Sequence, residues 1–437
     1  MPAYIEPRVL KGFRDFLPSA EIARRELLEL IESSFRSFGF VPIDTPALEY
    51  AEILLGKGGG ETEKQIYRFR DNGERDVALR FDLTVPFARF MAEHRQELPL
   101  PFKRYHIGKA WRGENTQRGR YREFIQCDFD IVGSVGAASD FEILLMMRNT
   151  LKLLGAGDVC IHLNHRGLFN RFLGRLEASQ NSVEILRIVD KLSKTGREEI
   201  LKQLSDLLDE TRAREVLRYI EAQGSFDEIL KVLTEAAAGN NSCAESERLA
   251  LIRRFMVDTG TEDSFVLDPS ITRGLDYYTG VVYESFLGEL PEIGSVCSGG
   301  RYDNLVGLYT KSSADQNLPG VGASIGIDRL IAALEALGRL KTRSAYARIA
   351  IACIHEEDSG RCQALAEKLR AVNIPCEVFP DEAKLPKQFM LGEKKGVSFI
   401  VIPHEGSADT ITLRNLETRE NQELPLENLI SFLKEKL

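Results

Sequence analysis

The stretch Arg120 to Gly133 (RYREFIQCDFDIVG) constrains this chain more than any other segment. Side chains along a strand alternate between faces. Read that way, Tyr121, Glu123, Ile125, Cys127, Phe129 and Ile131 form a mostly apolar face that packs on a core. The opposite face holds Arg120, Arg122, Phe124, Gln126, Asp128 and Asp130, which are two cations, an aromatic ring, an amide and two anions. A plain solvent face would carry the same charges, so this segment alone leaves two readings open.

Two neighbours favour a ligand face. Val77 to Thr84 (VALRFDLT) divides in the same way, with Val77, Leu79, Phe81 and Leu83 opposite Arg80, Asp82 and Thr84. Lys103 to Arg112 (KRYHIGKAWR) is a third strand candidate. Its small residues Gly108 and Ala110 share a face with Arg112 and leave room for a ligand to lie on the sheet. The connection Gly113 to Gly119 is too long for a tight hairpin, and long loops at strand ends often bind something. Between Lys103 and Arg122 stand seven Lys/Arg against the single Glu114, in a chain of net charge −9. Such a block attracts phosphates, and arginine pairs with them bidentately. A ring such as Phe124 beside those arginines suits stacking on a purine.

The remaining chain sets the frame. Its 437 residues imply two to four domains, and 43% hydrophobic with 28% charged residues implies folded cores. No repeat is visible. Residues 1–165 open with a helical pattern, Ser19 to Phe38, ended by Gly39. Residues 166–260 read as a helical insertion, with capping-box spacings at Thr195/Glu198 and Ser225/Glu228. Residues 261–338 return to strands and end in a strand–turn–helix, Gly320 to Leu337. Residues 346–437 alternate strand and helix, which suggests a small α/β domain with a largely parallel sheet. The fold class expected is α+β: a mixed, mainly antiparallel sheet flanked by helices, a helical insertion and a C-terminal α/β domain.

Seven cysteines without a C-x-x-C pair argue against zinc and disulfide frameworks and for free thiols in a reducing compartment, the cytoplasm. The first twenty residues lack the apolar run of a signal peptide, and no stretch of about 18 apolar residues suggests a membrane span. A DNA-coating protein is excluded by the acidic balance. No metal site in the protein is expected.

The strand–loop–strand around Arg112 resembles motif 2 of class II aminoacyl-tRNA synthetases. Gly39 to Glu49 (GFVPIDTPALE) resembles motif 1, and Gly320 to Leu330 (GVGASIGIDRL) motif 3. Thr272 to Gly280 (TRGLDYYTG) and Ser298 to Val306 (SGGRYDNLV) are similar to the two histidine-specific motifs of the histidyl-tRNA synthetase family. The resemblance covers nearly the whole chain, including a C-terminal anticodon-binding domain. It implies an enzyme that activates L-histidine with ATP and Mg²⁺ and joins it to tRNA(His), working as a homodimer with Pro46 near the interface.

It also implies roles. Arg112 would hold the ATP α-phosphate and the histidine carboxylate; Glu114, Arg120, Phe124 and Arg329 would bind the rest of ATP. Asp82, Thr84 and Gln126 would take the histidine ammonium, with Leu83 alongside. Asp130, Tyr277 and Tyr278 would line the imidazole pocket, where a polar pair rejects apolar analogues by on the order of 10⁴-fold in favourable cases. Tyr277 and Tyr278 would face opposite ways on a regular strand, which favours Tyr278 for direct contact. Arg273 resembles the catalytic arginine, facing Arg112 across the α-phosphorus, and Gln117 would face the tRNA acceptor end. The chain departs from many bacterial members in having Asp82 and Asp130 where they have glutamate. His106 and His165 read as scaffold. Three other readings are a histidine-sensing regulatory paralogue of ATP phosphoribosyltransferase, a tRNA-sensing kinase domain and a synthetase for another amino acid. The retained Arg112, Arg273 and Arg329, the fourth domain, the missing kinase motifs and TRGLDYYTG disfavour them.

Overall fold

A computed structural model of the chain describes residues 4–56, 61–189, 191–271, 277–313, 315–404 and 410–436. It divides into two compact units, Met1–Arg14 with Leu27–Leu340, and Asp15–Glu26 with Lys341–Leu437. The division falls inside the helix Pro18–Ser37. Leu27, Ile31 and Phe35 form its buried stripe, and Gly39 follows at φ +77°, a conformation that glycine adopts without a Cβ penalty.

The described strands of the first unit are β1 (Val41–Pro42), β2 (Leu48–Tyr50), β3 (Arg68–Arg70), β4 (Asp76–Leu79), β5 (Phe102–Trp111) and β6 (Glu123–Val132), then β7 (Val159–His165), β8 (Phe265–Leu267), β9 (Val281–Leu287), β10 (Cys297–Arg301) and β11 (Gly320–Gly326). Strands β2, β4 and β3 form a small antiparallel sheet. The others form one sheet in the order β1-β5-β6-β11-β10-β9-β7-β8. Its centre is antiparallel, and only the edge pairs β1/β5 and β7/β8 run parallel. The alternation in β6 packs Cys127, Phe129 and Ile131 onto a core shared with the helices Ala137–Leu153 and Ile327–Ala336.

A buried ion pair pins this layer. Arg301, at the end of β10, sets Nε 2.8 Å and Nη2 2.7 Å from Asp140 on the helix Ala137–Leu153. Their side chains are 3% and 0% exposed. Arg248, on the helix Ala244–Asp258, closes on the other Asp140 oxygen and ties the helical region to the sheet. That region, from Arg166 to Asp258, is helical as expected. Ser225 forms its capping box with Glu228. Thr195 does not cap: it ends a short helix, its hydroxyl bonds Lys191 O, and Gly196 precedes the next helix.

Two strand readings ran too far. Strand β4 stops at Leu79, and Thr84 opens the helix Thr84–Glu93. The Asp82 carboxylate accepts from Val85 N at 3.0 Å, as an N-cap does, and Pro86 in the first turn has no N–H to satisfy. Strand β6 begins at Glu123, so Arg120 and Arg122 belong to the preceding loop rather than to a sheet face.

The second unit has the sheet order β13-β12-β14-β15-β16, with β12 (Ile349–Ile351), β13 (Cys376–Val378), β14 (Phe399–Pro403), β15 (Thr410–Asn415) and β16 (Asn421–Pro425). The β12 pairings are parallel. The β15–β16 hairpin adds antiparallel pairs, so the sheet is mixed rather than largely parallel. All seven cysteines are unpaired, and six are buried. No described helix is long and apolar enough to cross a membrane.

Replacing Asp140 by alanine removes the carboxylate shared by Arg301 and Arg248 and leaves Arg301 only Asp303, at 3.1 Å. Breaking a buried pair in this way costs about 3–5 kcal/mol. The thermal midpoint of Asp140→Ala should fall by several degrees in calorimetry, and an unchanged midpoint would show that the pair does not hold the helix to the sheet.

Candidate active site

Strand register builds the floor of the site. Gln126, Asp128 and Asp130 stand on one face of β6. Strand β5 sets Gly108, His106 and Arg104 opposite them, and β11 sets Gly326, Ser324 and Gly322. Ser298 on β10 and Glu284 on β9 continue the same face. Above it lies a cavity of about 300 Å³. Gly322 is required there: an added Cβ would stand 2.0 Å from Asp130 Oδ1 and 2.7 Å from Phe129 O.

One end of the cavity is rich in carboxylates. Asp130 is 3% exposed, with Arg104 Nη2 at 2.7 Å from Oδ2 and the Tyr302 hydroxyl donating to Oδ1. Burial pushes the Asp130 carboxyl upward, while Arg104 and the Tyr302 bond pull it back. Arg104 is fully buried, its guanidinium 4.1 Å from the Phe87 ring centroid. Burial raises Asp82 to about 6 against the Val85 N–H and Arg112. Gln126 Nε2 donates to Ser324 Oγ at 2.8 Å. Tyr277 and Tyr278 meet edge-on with centroids 5.0 Å apart, and Tyr302 packs on Tyr277 at 5.9 Å. Burial raises all three phenols, so they stay protonated donors at neutral pH.

The other end is cationic. Arg112 follows β5, donates Nε to Phe81 O at 2.9 Å and holds its guanidinium 5.1 Å from the Phe124 ring centroid. Arg120 lies 3.7 Å from Glu114. Arg329 enters from the first turn of the helix Ile327–Ala336 and donates to Ser295 O. Burial, with Arg120 and Arg112 close by, lowers Arg329 to about 10, so it remains a cation at neutral pH. The neighbouring Asp328 accepts from Ile125 N at 3.0 Å and pairs with Arg14. Arg14 in turn lies 3.7 Å over the Tyr121 ring. Gly119, at φ +70°, lets the loop before β6 press against Arg329 Cα. Fixed cations around an aromatic ring suit a phosphorylated aromatic base, and the opposite end suits a cationic, hydrogen-bonding ligand.

Known proteins share this sequence and fold. A family model described as Histidyl-tRNA synthetase matches residues 12–330. The chain belongs to the histidyl-tRNA synthetase family. A second model, an anticodon binding domain, matches residues 348–436. The histidine–tRNA ligase of Treponema denticola is 49% identical, over 99% of each chain. That of Rhodopirellula baltica is 46% identical, over 96% of each. The crystal structure of histidyl-tRNA synthetase from Nostoc sp. PCC 7120 superposes with a TM-score of 0.87 at 30% identity, over 99% of this chain and 100% of that one. A Bacillus halodurans structure titled as an ATP phosphoribosyltransferase regulatory subunit/histidyl-tRNA synthetase shares the fold at a TM-score of 0.74 and 20% identity, over 89% of this chain and 97% of that one.

Of the residues that the histidyl-tRNA synthetase resemblance implicates, the cavity gathers Asp82, Thr84, Gln126, Asp130, Tyr277 and Tyr278 at one end, and Arg112, Glu114, Arg120, Phe124 and Arg329 at the other. Leu83 is fully buried as the residue before the helix Thr84–Glu93 and does not line it. Gln117 is exposed on the loop, bridged to Arg120, and is also outside the lining. Arg273 lies outside the described residues.

Three expectations change. The room above Gly108 is taken by Arg80, whose Nη2 would be 2.7 Å from an added Cβ, so no ligand fits there. The basic block is dispersed. Lys103 pairs with Glu142, Lys109 with Glu123 and Arg104 with Asp130, which leaves Arg112 and Arg120 at the cavity. Tyr277 and Tyr278 do not sit on a described strand, so both rings reach the cavity. His106 is held neutral, at about 3, because burial, Arg104 and Arg80 outweigh Asp44 at 2.9 Å. His165 caps the helix Arg166–Arg175, accepting from Gly167 N.

Sequence reasoning gave no individual role to Arg104, Asp128, Tyr302 and Ser324, although Asp128 stood on its ligand face, and it missed Glu284. A charged residue alternating with apolar ones was the available signal for Glu284, in VVYESFL. Nothing local marks Arg104 as the partner of Asp130.

Overpacking a tight backbone site costs typically 1–3 kcal/mol. Gly322→Ala should therefore lower stability to denaturant by about that amount, since its Cβ meets the Asp130 carboxyl and the Phe129 backbone. A wild-type midpoint would mean that the carboxyl yields freely.

Proposed function

We propose that this chain activates L-histidine with ATP, forming histidyl-adenylate and pyrophosphate, and then transfers the histidyl group to the 3′ end of tRNA(His). The single observation that carries the reading is the polarity of one cavity: buried carboxylates and phenols at one end, and three arginines with Phe124 at the other. Ligase relatives at 46–49% identity over nearly the full length support it over the histidine-sensing regulatory paralogue.

The roles follow from chemistry. Asp130 would accept an imidazole N–H, and Tyr278 would donate to the other ring nitrogen. An aspartate has lone pairs to spare for this beyond Arg104 and Tyr302. Asp82, Thr84 and Gln126 would hold the ammonium. Phe124 would stack on adenine, with Glu114 and Arg120 on the nucleotide and Arg329 at the γ-phosphate, where a helix N-terminus also favours an anion. The histidine carboxylate oxygen would then attack the α-phosphorus in line as the pyrophosphate oxygen leaves. Arg112, with Arg273 from the other side, would stabilise the charge that develops. In the second step a ribose hydroxyl of the tRNA terminus attacks the carbonyl carbon, AMP leaves, and Gln117 would meet the acceptor end.

Glu114 and Glu284 are both near enough to act on the Arg329 charge, so the phosphate end offers carboxylates for a Mg²⁺ that also takes phosphate oxygens. That ion would supply charge neutralisation on the triphosphate. Residues 348–436 would bind the anticodon. Exposed Val41, Leu48 and Tyr50, flanking Pro46, support a homodimer, and seven unpaired thiols support a cytoplasmic location.

Purified protein should catalyse histidine-dependent exchange of pyrophosphate into ATP, with no comparable exchange for the other amino acids. A folded dimer without exchange would put the regulatory reading ahead. Arg273→Ala should keep histidine binding in calorimetry and lose most of the exchange rate, on the order of 10²-fold or more. Lost binding with a normal rate at saturation would make Arg273 a binding residue instead.

A further inference from the structure

At the carboxylate end of the cavity, and beside its lining, lie acceptors without a partner among the described residues. Asp82 Oδ2, Asp128 Oδ1 and Gln126 Oε1 are buried without a hydrogen-bond partner among the described residues. Buried polar atoms are normally paired, and a primary ammonium offers three N–H donors in one group. Two of these acceptors belong to residues already given to the histidine ammonium. The third, Asp128, is 1% exposed and lies on β6 between Gln126 and Asp130. The Thr84 hydroxyl points to its Oδ2 at 3.5 Å. Ser324, which receives the Gln126 amide, is its register partner on β11. Asp128 therefore stands behind both Thr84 and Gln126.

We propose that Asp128 is a positioning residue for amino-acid recognition, orienting Thr84 and, through Ser324, Gln126, and releasing a proton to solvent when the substrate ammonium binds. The inference rests on the reading of Asp82, Thr84 and Gln126 as the ammonium site.

The surroundings support the proton step. Facing Asp128 are Asp130 on its own strand, Arg104 and His106 on β5, Ser324 on β11, Asp82 and Thr84 at the helix start, Arg80, and the phenols of Tyr277 and Tyr278. Burial raises Asp128 to about 7. Arg104 and Ser324 oppose this, while Asp130 and Asp82 add to it. His106 contributes no charge, being held neutral, and the phenols stay protonated. Near pH 7 the Asp128 proton is thus shared between bound and free. An ammonium nearby favours the carboxylate and drives that proton off. The sign follows: below pH 7 binding must displace the proton and weakens, and above pH 7 the carboxylate is already charged. Asp82, at about 6, and the imidazole of histidine, about 6.5, titrate lower; removing the Asp128 charge favours the Asp82 carboxylate, so the variant also loses part of any proton release from Asp82.

Calorimetric titration with L-histidine at pH 7.0, in two buffers of different ionisation enthalpy, counts the protons released. Wild-type protein should release about half a proton more than Asp128→Asn, which has the same shape but nothing to release. Its dissociation constant should also tighten about 10-fold more than the variant's between pH 6 and pH 8. Asp128→Ser serves if the asparagine variant does not fold. Equal proton counts and parallel pH profiles in folded, histidine-binding variants would overturn the proposal. Wild-type protein that binds no histidine would instead overturn the functional reading beneath it.

Discussion

The pair of Arg104 with Asp130 fixes the site from below. A guanidinium with no exposed surface faces a carboxylate that is nearly as buried, and each makes the other tolerable inside the sheet. Their strands are adjacent in register, so the pair also locks β5 to β6 at the level of the cavity floor. Gly322 on the next strand leaves the space that the carboxyl fills. Tyr302 then takes the second oxygen, and Tyr277 packs on Tyr302. The polar wall of the cavity is thus organised around one buried charge pair, with the tyrosines oriented as a consequence.

The two ends of the cavity work by opposite electrostatic means. At the carboxylate end, burial holds Asp82 and Asp128 near their titration points, so incoming positive charge meets groups ready to ionise. At the cationic end, Arg329 stays charged and has been partly stripped of water, which strengthens any contact with an anion. One cavity of about 300 Å³ thus offers acceptors for a cation at one end and donors for an anion at the other.

Much of this was legible in the sequence, for a physical reason. Alternation along Glu123 to Val132 is a local property, so placing Gln126 and Asp130 together on the face opposite the core needed only the strand period. The five-strand C-terminal sheet was partly readable for the same reason, until the hairpin Thr410 to Pro425 reversed its direction. What failed was whatever depends on a partner distant in sequence. Arg104 looked like a phosphate contact because its carboxylate is on another strand, and Gly108 looked like open floor because Arg80 reaches across from before the helix Thr84–Glu93. Asp82 and Thr84 reached the site as the start of a helix, although the alternation in VALRFDLT continues through them. Period alone does not reveal where a carboxylate has begun to cap a helix.

Asp328 joins three parts of the molecule that the chain keeps far apart: the floor strand through Ile125 N, the helix that carries Arg329, and the amino-terminal segment through Arg14. That same segment lays Arg14 over Tyr121, and Gly12 O accepts from Arg122 N at 2.9 Å. The segment around Arg14 is therefore a buttress for the arginine-rich half of the pocket. Shortening the chain past Arg14 would remove nothing from the cavity lining, yet it would leave the Asp328 carboxylate without its counterion directly beside Arg329.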